Sequence, residues 1–118
     1  MIRRHKLRLF SAAGERPRID WTEDAASHVI AIHGEVDLDA HDELARTFAR
    51  ALDSRAAEVV LDLEFCRFID SYGVAAIVGL DRRLARSSAR RLRILPGPPA
   101  VQRTFATCGL LEVLDFHE

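Results

Sequence analysis

A chain of 118 residues has room for one domain and can bury about two-thirds of its unfolded surface, enough for a core without disulfide or metal staples. Its 48% hydrophobic and 30% charged composition excludes a disordered or collagen-like polymer. The formal net charge of −1 hides an uneven split. Residues 1–18 carry Arg3, Arg4, Lys6, Arg8, Arg16 and Arg18 against Glu15 alone, and the acids outnumber the bases over the rest of the chain.

The chain divides into this basic N-terminal extension, residues 1–18, and a folded body, residues 19–118. A basic arm can touch nucleic acid or anionic lipid. Here the body is acidic and the arm has no aromatic beyond Phe10, so direct nucleic-acid binding is not expected. No apolar stretch with a small-residue cleavage site follows the opening Met1-Ile2-Arg3-Arg4-His5-Lys6, so a secretory signal is not expected. No window approaches the roughly eighteen uncharged apolar residues of a transmembrane segment. Cys66 and Cys108 are too few for a disulfide framework and lack metal-finger spacing; they read as free, buried and inert thiols in a reducing cytoplasm.

Ile19-Asp20-Trp21-Thr22-Glu23 alternates as a short strand, and His28-Val29-Ile30-Ala31-Ile32-His33 reads as a second, joined to it in a hairpin. Gly34-Glu35-Val36-Asp37 closes that strand, and Asp37 or Asp39 can cap a helix from about Ala40 to Leu52. Glu58 to Leu63 is a third strand, Glu64 to Asp70 a loop, and Ser71 to Ser87 a second helix. Arg91 to Leu95 is a fourth strand, ended by Pro96-Gly97-Pro98-Pro99. Pro99 suits the first turn of a third helix through Thr107, with Gly109 as its stop. Leu111 to Phe116 is the fifth strand. The order β-β-α-β-α-β-α-β implies an α/β domain with a mostly parallel mixed sheet and right-handed crossovers.

In Phe68-Ile69-Asp70-Ser71-Tyr72-Gly73-Val74 a loop enters a helix, and Ser71 is placed to be its N-cap. The same geometry puts its hydroxyl at the positive end of the helix dipole, where a phosphate gains about 0.3–1 kcal/mol. Cap and switch are both open to it. At 100° per residue, Val74, Ile77, Val78, Leu80 and Leu84 share one arc of this helix. The opposite face runs Tyr72, Ala75, Ala76 and Gly79, then Arg82, Arg83 and Arg86. A flat small-residue surface ending in arginines suits a protein contact that seeks acidic residues. Asp81 falls inside the apolar arc, and the sequence offers no reason for it.

Four segments in this order resemble the STAS domain: Gly34-Glu35-Val36-Asp37 between strand and helix, Val59-Val60-Leu61-Asp62-Leu63, the turn Phe68 to Gly73, and Pro99-Ala100-Val101-Gln102-Arg103. The domain is shared by anti-sigma factor antagonists and sulphate transporters, and the resemblance covers about residues 19–116. In bacterial antagonists the serine directly after this aspartate is phosphorylated by an ATP-dependent anti-sigma factor kinase. That position is Ser71. The resemblance implies that the unphosphorylated protein binds the kinase and releases the sigma factor, and that a PP2C-type phosphatase resets it. Partner contacts are expected on that face of the helix and the loops beside it, at Glu35, Asp37, Asp70, Tyr72, Gly73, Ala75, Ala76, Gly79, Arg82 and Arg83. Many antagonists have serine or threonine where this chain has Tyr72, and many continue into a further helix beyond the position of Glu118.

Enzymatic readings are weaker. His33, Glu35, Asp37, Asp39 and His41 recur at every second residue, but in an extended strand the two histidines would be about 26 Å apart. Zinc needs its ligands within about 2.3 Å of one point. Ile69 stands where a hydrolase nucleophile elbow needs glycine. No glycine-rich loop cradles a phosphate, so any ATP belongs to a partner, and no cofactor or metal is expected. The leading expectation is a cytoplasmic, non-enzymatic anti-sigma factor antagonist. The alternatives are a STAS subunit of a membrane transporter or a STAS component of a stress-signalling scaffold. The oligomeric state stays open.

Overall fold

Ile19 and Trp21 on one strand, and Ile30 and Ile32 on the next, turn one side of a hairpin into the core. That period of two fixes which face of the sheet the helices must cover. In the computed structural model the described residues are 3–6, for backbone alone, and 18–117; most of the arm expected over 1–18 lies outside them. The strands are β1 (Arg3–Lys6), β2 (Arg18–Glu23), β3 (Ser27–Val36), β4 (Glu58–Asp62), β5 (Cys66–Ile69), β6 (Leu92–Leu95) and β7 (Asp115–Phe116). The helices are α1 (His41–Asp53), α2 (Ser71–Ser88) and α3 (Pro99–Thr107), and a 3₁₀ turn at Leu38–Ala40 precedes α1.

The sheet order is β1-β2-β3-β4-β6-β7, with β1, β2 and β3 antiparallel and β3, β4, β6 and β7 parallel. Strand β3 is long enough to serve two neighbours. Ser27 to Ala31 pairs with β4, and Gly34 to Val36 pairs with β5 after a register shift. Gly34 takes φ 90°, a left-handed value that glycine adopts without a Cβ clash, and its N–H donates to the Phe65 carbonyl at 3.0 Å.

Helices α1 and α2 share the core face, burying Leu44, Phe48, Ile77 and Leu84, and α3 packs beside β5 through Val101 and Phe105. Phe105 meets Phe116 edge-on at 5.2 Å. Three expectations are corrected. The expected loop from Glu64 to Asp70 contains β5, and β1 pairs with β2 from within the arm. The fifth expected strand shrinks to two residues, because Val113 and Leu114 donate back to the Leu110 carbonyl and make turns.

Two buried polar groups organise the edges of this core. Asp81, unexplained from the helical wheel, ties α2 to the start of β6: Arg91 donates to it at 3.0 and 3.2 Å, and the Leu92 N–H at 2.9 Å. His28 is fully buried, stacks on Trp21 at 5.3 Å, and lies 3.5 Å from the Glu23 carboxylate. Burial pushes the His28 imidazole below its ordinary value of 6.5, and Glu23 opposes that only in part. The unfolded chain therefore binds this proton more readily than the folded one. The stability that His28 supplies as a neutral ring is complete above about pH 6.5 and is lost as the pH falls below it. In urea titrations at pH 7.5, 6 and 5, His28→Phe should lose less stability on acidification than the wild type. An equal loss in both proteins would refute this.

Candidate functional site

The turn into α2 is fixed by Asp70 rather than by Ser71. Asp70 is extended, at φ −88° and ψ 177°, as an N-cap must be, and its Oδ1 accepts the Gly73 N–H at 2.9 Å. Ser71 is therefore the first helical residue and not the cap. Its side chain is exposed, and no described residue bonds its hydroxyl. A cap hydroxyl would be committed to an amide of the first turn, whereas this one faces solvent at the positive end of an 18-residue helix.

The second oxygen of Asp70 is held from another element. His41, at the start of α1, has Nε2 2.8 Å from Oδ2, and its ring stacks on Tyr72 with centroids 3.8 Å apart. The two helix starts are thus joined through one imidazole. Sequence reading missed this pairing, since His41 and Asp70 are 29 positions apart and no local pattern links them. Tyr72 remains 46% exposed although one face of its ring is covered.

Gly73, expected among the partner contacts, is buried. A Cβ there would sit 2.7 Å from Ile69 Cγ1 and 3.0 Å from Val36 Cγ1, so its place is in the packing of α2 on β3 and β5. Glu35 is exposed opposite Phe68 on β5, and Asp37 caps the 3₁₀ turn by accepting the Asp39 N–H at 3.2 Å. Leu38, Phe65 and Phe68 are exposed apolar residues on the neighbouring loops and strand. Nothing in the sequence marks them, since no local pattern separates an exposed phenylalanine from a buried one.

The outer face of α2 is not flat. Ala75, Ala76 and Gly79 face Ala45, Ala49 and Leu52 of α1 across a groove of about 360 Å³ floored by Phe48 and Leu80. Tyr72 and Arg83 also line it, and Arg82 is exposed on the same helix. Of the residues weighed for a metal, His33 stacks on Phe65 at 5.6 Å while His41 turns to Asp70. Among the described residues no three His, Cys, Asp or Glu side chains converge as a metal site. Burial pushes the Cys66 thiol up to about 11, so it stays protonated, whereas Cys108, expected to be buried as well, is exposed just after the end of α3. Among the described residues no helix is long and apolar enough to cross a membrane.

Residues 19–115 match the family model described as "Mlab, STAS domain". No curated protein matches the chain in sequence. Several solved structures share its fold. The anti-sigma factor antagonist SpoIIAA in its unphosphorylated form superposes with a TM-score of 0.71 at 22% identity, over 85% of this chain and 88% of that one. SpoIIAA from Bacillus in its phosphorylated form gives 0.65 at 22% identity, over 85% and 91%. An anti-sigma factor antagonist from Mycobacterium paratuberculosis gives 0.74 at 17% identity, over 86% of each chain.

Proposed function

Because this chain belongs to the STAS domain family, we propose that it is an anti-sigma factor antagonist whose hold on an anti-sigma factor kinase is released by phosphorylation of Ser71. The observation that carries this reading is the Ser71 hydroxyl, exposed and unbonded on the first residue of α2. SpoIIAA, which shares the fold, has been solved in both unphosphorylated and phosphorylated forms.

The chain supplies the acceptor, and the kinase supplies ATP and the catalytic groups. A phosphoryl group brings about −1.5 to −2 charges, which the helix N-terminus tolerates and even favours. The adjacent Asp70 carboxylate already uses the Gly73 N–H and His41, so the added charge is left facing outward. A partner seated over Tyr72, Ala75, Ala76 and Gly79, with contacts at Glu35, Asp37, Asp70, Arg82 and Arg83, then meets bulk and negative charge where it had met a hydroxyl. The switch works by repulsion and lost fit. A PP2C-type phosphatase restores the binding form, and the whole cycle is cytoplasmic. The chain binds and is modified; it does not catalyse.

The test is a pull-down from the native cell with wild-type, Ser71→Ala and Ser71→Asp proteins as bait. Wild type and Ser71→Ala should recover an ATPase-fold kinase, and Ser71→Asp should recover at most about a tenth as much. Because Asp70 and not Ser71 is the cap, Ser71→Ala should change stability by less than about 0.5 kcal/mol. Recovery of transporter subunits by all three baits would instead establish the reading as a STAS subunit of a membrane transporter.

A further inference from the structure

The groove between α1 and α2 has a composition that a protein contact alone does not require. Its floor is the edge of the core, Phe48 and Leu80, and its walls are the methyl groups of alanines and the bare backbone of Gly79. Small residues on both helices hold it open, and a Cβ built on Gly79 meets no atom within 4 Å. At about 360 Å³ it falls within the ~300–1,000 Å³ usual for small-molecule sites.

Its polar groups are few. Arg83 lines one end, and no carboxylate among the described residues pairs with it. Tyr72 lines the other, its ring fixed against His41 and its hydroxyl bonded to no described residue. An apolar trough with a cation at its mouth that no described carboxylate pairs complements one kind of molecule: an apolar body with a single anionic head. We infer that the α1–α2 groove binds a small amphiphilic carboxylate, with the hydrocarbon over Phe48, Gly79 and Leu80 and the carboxylate on Arg83. Such a ligand lies against Tyr72, next to Ser71, and competes with any protein that uses the same face. Its binding does not depend on Ser71 being modified, so this inference and the proposed function can fail separately.

The probe is decanoate, with decanol as its uncharged counterpart, both below their aggregation concentrations and followed by amide chemical shifts in the full chain. Decanoate should shift the signals of Ala49, Ala76 and Gly79 and bind at least tenfold more tightly than decanol. Arg83→Gln should remove that difference while leaving decanol binding intact. Gly79→Leu, which has open space for its side chain, should fill the groove and abolish both. Absence of groove shifts at millimolar decanoate would overturn the inference, and so would equal binding of the two probes to the wild type. Binding that survives Gly79→Leu would place the ligand elsewhere and overturn it as well. So would a partner protein that shifts the groove signals when decanoate does not, since it would assign the groove to protein contact.

Discussion

Asp81→Ala is expected to lower the stability of the fold by about 2–4 kcal/mol, read as a fall in the urea midpoint with an unchanged slope. Asp81 is only 7% exposed, and its carboxylate accepts three hydrogen bonds: two from the Arg91 guanidinium at 3.0 and 3.2 Å, and one from the Leu92 N–H at 2.9 Å. Most of the loss comes from the amide. Leu92 is fully buried at the start of β6, so its N–H finds no replacement in water and bears a desolvation cost of about 1–3 kcal/mol. The ion pair adds less, since the Arg91 side chain is 55% exposed and water screens it. Asp81→Asn should therefore cost about half as much, because its amide oxygen can still accept from Leu92. If Asp81→Asn and Asp81→Ala prove equally damaging, the ion pair dominates and this apportioning is wrong.

Asp81 also shows where sequence reasoning stops. Its position on the apolar arc of α2 was legible at once, because helical periodicity is local. Its reason was not, because the donors sit ten and eleven residues away, at the entry to the next strand and on its first residue. The same boundary separates the other outcomes. Period two in Ile19 to Glu23 and period 3.6 in Leu44 to Leu52 report nearest neighbours, and those elements formed where expected. Strand β5 was missed because its burial runs buried, exposed, exposed, buried, which is not alternation; it exists by pairing with β3 beyond a register shift.

At the site, the turn was legible and the assignment within it was not. Asp and Ser are about equally good N-caps, so Asp70-Ser71 leaves the choice to backbone dihedrals that no residue pattern encodes. The outcome matters for function. With Asp70 as cap, the helix start and the exposed hydroxyl are separate residues, and the phosphorylation proposed for Ser71 need not undo the turn that presents it. Asp70 is in turn braced by His41, a link across 29 residues that only the packing of α1 beside α2 creates.

The seat of α2 on β3 and β5 rests on its first glycine, and the two glycines of this helix should respond to substitution with opposite signs. Gly73→Val is expected to cost about 3 kcal/mol. Its first added carbon already meets Ile69 Cγ1 at 2.7 Å and Val36 Cγ1 at 3.0 Å, and both partners are fully buried branched residues with no room to yield. Overpacking of this kind costs about 1–3 kcal/mol for the first methylenes, and the two further methyls of valine add to it. Relief can come only by lifting the start of α2, which pulls the Gly73 N–H away from Asp70 and moves Ser71 with it. Gly79→Ala, six residues on, meets nothing within 4 Å and should stabilise the chain by about 0.5–1 kcal/mol through helix propensity alone. Urea midpoints of the two variants decide the matter. A tolerated Gly73→Val would mean that α2 can ride away from β3 and β5 without loss, and the rigid presentation of Ser71 on which the proposed switch depends would go with it.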